Sequence, residues 1–228
     1  MQSEYRIRYT AEQLDKALKN GTISEEIYNA NIESARSFSE RMSLVNSMLS
    51  NGTYIFSRSP SDLKEDFELR LIDQNVFDSA SWLNTIDMSD DKEDIISVKL
   101  RFSLMGLKVG GRFDTFEYIL DTEDSQISDR RYCVHGTLFE GCGNYRAPDS
   151  ADKRTVPIEV TNHIVNLVSY LMKNGSLKKD YVGAEGFDCT FFDLYVKTEN
   201  GSIHTKGTAD TYPMFLRCIM LMMNAVDS

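Results

Sequence analysis

The sequence predicts an α+β fold: an N-terminal helical hairpin, then an antiparallel sheet with two later helices packed on it. Three observations carry that prediction. Apolar spacing is helical over residues 10–50 and switches to a period of two from residue 95. Four Asn-Gly dipeptides, each followed by Ser or Thr, punctuate the chain at Asn20-Gly21, Asn51-Gly52, Asn174-Gly175 and Asn200-Gly201. Both residue types tolerate positive φ, so the dipeptide ends helices and closes tight hairpins.

The elements follow in order. Thr10 is the expected N-cap of a first helix, with Gln13 as its capping-box partner. Leu14, Ala17 and Leu18 form its apolar stripe, and Asn20-Gly21 ends it. A longer helix starts after Ile23, capped by Thr22 or Ser24, with Tyr28, Ala35, Met42 and Leu49 recurring every seven residues. Ile32, Phe38 and Val45 lie close to the same stripe, and about 25 residues at 1.5 Å each give a rod of about 37 Å. Residues 53–94 are harder to place. Tyr54-Ile55-Phe56 reads as a short strand, Ser61-Asp62-Leu63 as a helix start, and Phe77 and Trp82 as anchors of an irregular segment. The units expected are therefore 1–52 and 53–228, with an irregular acidic connector over 57–94.

From residue 95, Ile96, Val98, Leu100, Phe102 and Leu104 alternate with Ser97, Lys99, Arg101 and Ser103, a half-buried antiparallel strand. A Gly110-Gly111 turn leads into a strand over 113–120. Plain pairing across that turn would mix the faces, so an extra residue at Met105-Gly106, a β-bulge, is expected to restore Phe116, Tyr118 and Leu120 to the interior. A further strand is expected over 131–139. A helix over 161–173, capped by Thr161, turns Ile164, Leu167, Val168 and Leu171 inward. Strands over 189–198 and 202–208 meet at Asn200-Gly201, with Phe192, Leu194, Val196 and Ile203 on one face and Asp193, Tyr195, Lys197, His204 and Lys206 on the other. Pro213 opens a last helix over 212–226 that is apolar nearly all round, hence buried on most sides.

Composition bounds the function. The 228 residues are 41% hydrophobic, enough for a proper core, and carry a net charge of −10. Residues 51–100 alone hold 5 basic and 11 acidic side chains, more than half of that excess. Such a chain repels nucleic acid and anionic lipid, so neither direct nucleic-acid binding nor membrane binding is expected. No signal peptide is visible at the N-terminus and no apolar run reaches spanning length, so a cytoplasmic location is expected. Cys133, Cys142, Cys189 and Cys218 then read as free thiols, and the Asn-Gly-Ser/Thr sites as turns.

Leu14, Leu18 and the run Gly21-Thr22-Ile23-Ser24-Glu25-Glu26-Ile27-Tyr28 resemble the SHOCT module, a short helical hairpin attached to many bacterial proteins. The resemblance covers about residues 10–42. It implies an oligomerisation or docking element and no chemistry. SHOCT usually sits at the C-terminus of its host, and here the segment is N-terminal.

Catalytic signatures are weak. Cys133-Val134-His135 with Cys142 lacks the ligand pairs of a structural zinc site, so no metal or cofactor is expected. G-x-S-x-G, P-loop, GxGxxG and HExxH are missing. His204, set opposite Lys197 with Tyr195 and Asp193 nearby, is the best polar cluster, either a general-base site or the wet face of a hairpin. The acidic loop Asp87, Asp90, Asp91, Glu93 and Asp94 lacks the order of a calcium loop and suits a negative patch facing a basic protein. Trp82, the single tryptophan, is a core anchor or an interface hot spot. The leading expectation is a non-enzymatic protein-binding protein of inhibitor, immunity or accessory type, bacterial or phage. The alternatives are an enzyme whose site is assembled from His135, Cys142, His163 or His204, and an oligomeric protein that associates through helix 22–50 or helix 212–226.

Overall fold

A computed structural model describes residues 8–88, 93–104, 115–132, 150–178, 180–181, 190–208 and 213–224. The chain divides into two compact units, Met1–Ser50 and Asn51–Ser228. The first is a helical hairpin of α1 (Ala11–Lys19) and α2 (Glu25–Ser50). Thr10 and Gln13 form the full capping box. Gly21, at φ +67°, ends α1, with its N–H donating to the Leu18 carbonyl. Leu14, Ile32 and Ala35 make the small core, with Ala11, Ile23 and Tyr28 packed against it.

The second unit is mixed α+β. Its six-stranded antiparallel sheet has the order β4-β3-β2-β1-β5-β6. The strands are β1 (Ile95–Leu104), β2 (Thr115–Asp121), β3 (Gln126–Tyr132), β4 (Ser150–Thr155), β5 (Thr190–Thr198) and β6 (Gly201–Thr208). One face is apolar: Val98, Leu100 and Phe102 pair with Leu120, Tyr118 and Phe116 on one side and with Val196, Leu194 and Phe192 on the other, all buried. The helices are α3 (Tyr54–Ser57), α4 (Pro60–Glu68), α5 (Gln74–Leu83), α6 (Ile158–Lys173) and α7 (Met214–Met222). Two hydrogen bonds tie the helical side to this face. Arg154 Nη2 donates to the Met223 carbonyl just past α7, and Thr205 Oγ1 donates to the Leu177 carbonyl after α6. Arg154 pairs with Ile127 and Thr205 with Leu194, so both belong to the apolar face. Phe215, Leu216, Cys218, Ile219 and Met222 of α7 are buried, and Met214, Met220 and Leu221 are half-buried.

Several expectations are corrected. Tyr54-Ile55-Phe56 is the single helical turn α3, not a strand; Asn51 Oδ1 accepts from Thr53 N and Oγ1 and starts the turn, and Tyr54 and Ile55 are buried. A three-residue apolar run carries no period, so sequence could not decide it. Within 57–94, Pro60–Glu68 and Gln74–Leu83 are helical rather than irregular. Ser59 caps α4 with Pro60 following it, and Asp73 caps α5, whose buried anchors are Val76, Ser79, Ala80 and Leu83 rather than Phe77 and Trp82. Ile96 faces solvent, 40% exposed. The β1–β5 register shifts between Ile95 and Ser97, an extra residue that turns Ile95 inward instead. β3 begins at Gln126, and the expected residues 133–139 lie outside the described ones. α6 starts at Ile158 after Pro157, leaving Thr161 buried inside the helix rather than capping it. β4 was not anticipated, because its polar Ser150–Thr155 segment has no apolar alternation. Met105-Gly106 and Gly110-Gly111 lie outside the described residues. Phe102 nonetheless pairs with Phe116, a register that keeps both strands' apolar side chains on one face.

Cys218 offers a direct check on this core. Its thiol lies against the Ser79 carbonyl at 3.5 Å, and burial pushes its pKa up to about 12. The thiolate is the reactive form. Alkylation read by mass spectrometry should leave Cys218 unmodified in the folded protein and modify it once denaturant unfolds the chain; rapid labelling at neutral pH would contradict the packing.

Candidate functional site

Two surfaces of the sheet carry the chemistry. The first is the face opposite the apolar one. Antiparallel register sets a row of alternating charge across five strands: Arg130, Glu117, Arg101, Asp193 and Lys206 stand in successive cross-strand pairs. Glu117 is only 5% exposed and is the hub of this row. Its Oε2 lies 3.6 Å from Lys99 Nζ, and its Oε1 lies 3.5 Å from Arg130 Nη1 and accepts from Tyr132 OH at 3.3 Å. Burial, then the neighbouring Glu117 carboxylate, pushes the Tyr132 pKa up.

In the next row Lys99 pairs with Tyr195, which pairs with His204. The sequence had set His204 opposite Lys197. The register corrects this, since Asn200-Gly201 pairs Thr198 with Gly201 and hence Lys197 with Ser202. The rings of Tyr195 and His204 stack with centroids 4.0 Å apart, and Lys99 Nζ sits 4.6 Å from the Tyr195 centroid. His204 Nε2 lies 2.8 Å from Asp193 Oδ1. An ionised carboxylate only accepts, so Nε2 carries the proton. Burial first, then Asp193, raises the Tyr195 pKa. The cluster Asp193, Tyr195 and His204 is therefore assembled, with Lys197 exposed beside it.

The second surface is one end of the sheet. There β1 begins, β2 ends, β3 begins, β4 ends into α6, and the β5–β6 turn lies. Four chain-distant segments bring exposed carboxylates to it. Glu93 and Asp94 lead into β1; Asp121, Glu123 and Asp124 form the β2–β3 turn; Glu159 opens α6; Glu199 lies in the β5–β6 turn. Their backbones are pinned. Glu93 N donates to Ser169 Oγ at 3.1 Å, and Glu199 N donates to the Asp94 carbonyl at 3.3 Å. Asp121 Oδ1 accepts from Glu123 N at 3.0 Å, fixing the turn. Two apolar side chains sit among them: Ile96, turned outward by the bulge, and Ile158, 54% exposed.

Of the acidic loop named from sequence, Asp87, Glu93 and Asp94 are exposed, and Asp90 and Asp91 lie outside the described residues. Trp82 is half-buried on α5. His163 stacks on Phe56 with centroids 3.8 Å apart, and its Nδ1 donates to the Glu159 carbonyl. His163 and His204 thus have different partners. Cys133, His135, Cys142 and Cys189 lie outside the described residues. Among the described residues, no group of three or more His, Cys, Asp or Glu side chains is placed to hold a metal ion, and no helix is long and apolar enough to cross a membrane. Sequence reasoning missed Glu117, Arg130, Tyr132 and the turn carboxylates. Strand register joins them, and only the hairpin's share of that register had a local signal at Asn200-Gly201.

No family model matches the chain, and no curated protein is significantly similar to it.

Proposed function

We propose that this protein binds another protein of basic surface through the acidic end of its sheet, as inhibitors, immunity proteins and accessory proteins do. The observation that supports this reading is the convergence of Glu93, Asp94, Asp121, Glu123, Asp124, Glu159 and Glu199 from four segments of backbone fixed by hydrogen bonds. Like charges held close together repel, and a partner's lysines and arginines relieve that repulsion. The field speeds encounter and rejects acidic competitors, while the exposed Ile96 and Ile158 supply apolar contact. Asp87, Asp90 and Asp91 belong to the same acidic run of sequence as Glu93 and Asp94, and Trp82 on α5 is the aromatic closest to Asp87 in the chain. The likeness of residues 10–42 to a docking hairpin supports the same reading.

The test is capture of a partner from lysate of the native host at low and high salt. A stoichiometric partner should be retained at low salt and released as salt rises. Substituting Glu93→Gln, Asp94→Asn, Glu123→Gln and Glu199→Gln together should weaken its binding about tenfold or more and flatten the salt dependence, with the thermal melt unchanged. Full binding by this variant would remove the acidic end from the account.

The tight His204–Asp193 contact favours a second reading, a general-base site on the polar face. A His204→Gln variant separates the two. It should leave partner binding intact under the first reading and abolish turnover under the second.

A further inference from the structure

The polar face of the sheet has the opposite charge balance from the rest of the molecule. Its first row holds three cations (Arg130, Arg101, Lys206) and two carboxylates (Glu117, Asp193). Lys99 adds a further cation in the next row. The chain as a whole carries −10. This local excess is also partly desolvated, with the Lys99 side chain 28% exposed and that of Arg130 41%. Charge in such a setting acts at a lower effective dielectric than on an open surface.

The contacts around Glu117 are long. Lys99, Arg130 and Tyr132 stand 3.6, 3.5 and 3.3 Å from its carboxylate. A closed charge-assisted bond is about 2.7–2.9 Å. His204 and Asp193, at 2.8 Å, show what a closed pair on this face looks like. One buried carboxylate therefore holds two cations loosely, and among the described residues neither cation has a second carboxylate within ion-pair distance.

We propose that Lys99 and Arg130 form a binding site for a phosphate-type oxyanion, and that Glu117, which accepts the Tyr132 hydroxyl proton, holds the two cations in place while opposing the anion. The chemistry is that of a guanidinium fork and an ammonium, both donors, meeting oxyanion acceptors. The site is separate from the acidic end and does not depend on the partner reading.

Glu117→Gln distinguishes this from a merely structural ion cluster. Gln keeps the shape and removes the opposing charge, so inorganic phosphate, titrated by calorimetry at low ionic strength, should bind about tenfold more tightly or better. Lys99→Gln and Arg130→Gln should each weaken phosphate about tenfold, and Lys64→Gln, on α4, should change nothing. The two cation variants alter partly exposed side chains, so they carry the test should Glu117→Gln fail to fold. Pyrophosphate and a single-stranded oligonucleotide complete the set. Pyrophosphate should compete with phosphate. Absence of phosphate binding at about 10 mM, binding indifferent to Glu117, Lys99 and Arg130, or an oligonucleotide bound tightly that phosphate cannot displace would each overturn the proposal.

Discussion

Asp66→Ala is expected to destabilise the second unit by about 3–5 kcal/mol, the cost of removing one partner from a buried ion pair. Asp66 is 0% exposed. Its Oδ2 accepts from Tyr54 OH at 2.6 Å and from Arg58 Nε at 3.0 Å, and Arg58 Nη2 lies 2.9 Å away. Arg58 is itself largely buried, its side chain 10% exposed, with its guanidinium 5.9 Å from the Tyr54 centroid. Truncation leaves a desolvated guanidinium with the more exposed Asp62, 3.7 Å away, in place of its buried counter-charge, and removes the acceptor of the Tyr54 phenol. The triple change Tyr54→Phe, Arg58→Met and Asp66→Leu removes the whole network and should cost less than Asp66→Ala alone, because no orphaned charge remains. Urea unfolding measures both; equal stability of wild type and Asp66→Ala would refute the network's role. The network also has a pH signature. Burial and the Asp66 hydrogen bond raise the Tyr54 pKa above its ordinary 10.0. The neutral phenol is the form the fold favours, so its contribution is complete below that value and is lost as pH rises beyond it.

Gly52→Ala is the second large effect, about 2–5 kcal/mol. Gly52 sits at φ +80°, and a Cβ there would lie 2.2 Å from the Met222 carbonyl oxygen and 3.0 Å from its carbon. The obstacle is backbone at the end of α7, which cannot rotate away. Left-handed backbone costs a residue with a Cβ about 1–2 kcal/mol, and forced overpacking adds about 1–3 kcal/mol. Gly175 supplies the control. It follows Asn174 in the same dipeptide at φ +75°, and nothing lies within 4 Å of its Cβ position. Gly175→Ala should therefore show the backbone cost alone, about 1–2 kcal/mol. Equal losses at the two positions in chemical denaturation would mean that α7 does not press on Gly52.

These two sites show where sequence reading succeeds and where it stops. Both Asn-Gly pairs were legible as helix ends, because that chemistry is local. The α7 carbonyl that makes one of them irreplaceable lies 170 residues away in sequence. Periodicity identified the faces of β1, β2, β5 and α6, since a half-buried element must repeat at its own pitch. It failed at Ile96, where one inserted residue reverses the faces, and at β4, a charged edge strand with nothing to bury on alternate positions. The candidate sites divide in the same way. Asp193, Tyr195 and His204 were found because one turn fixes their register. Glu117 looks like an ordinary exposed strand residue until β1 and β3 flank it with Lys99 and Arg130. Glu93 and Asp94 were visible as a charge run, whereas Asp121, Glu123, Glu159 and Glu199 join them only when strand ends align.

Amide hydrogen exchange on the protein alone and with its captured basic partner tests the proposed function most directly. Protection on binding should appear at the acidic end of the sheet, in residues 93–96, 121–126, 156–159 and 198–200, and should fade as salt is raised. Protection confined to the helical hairpin or to the far ends of the strands, with those four segments unchanged, would contradict it.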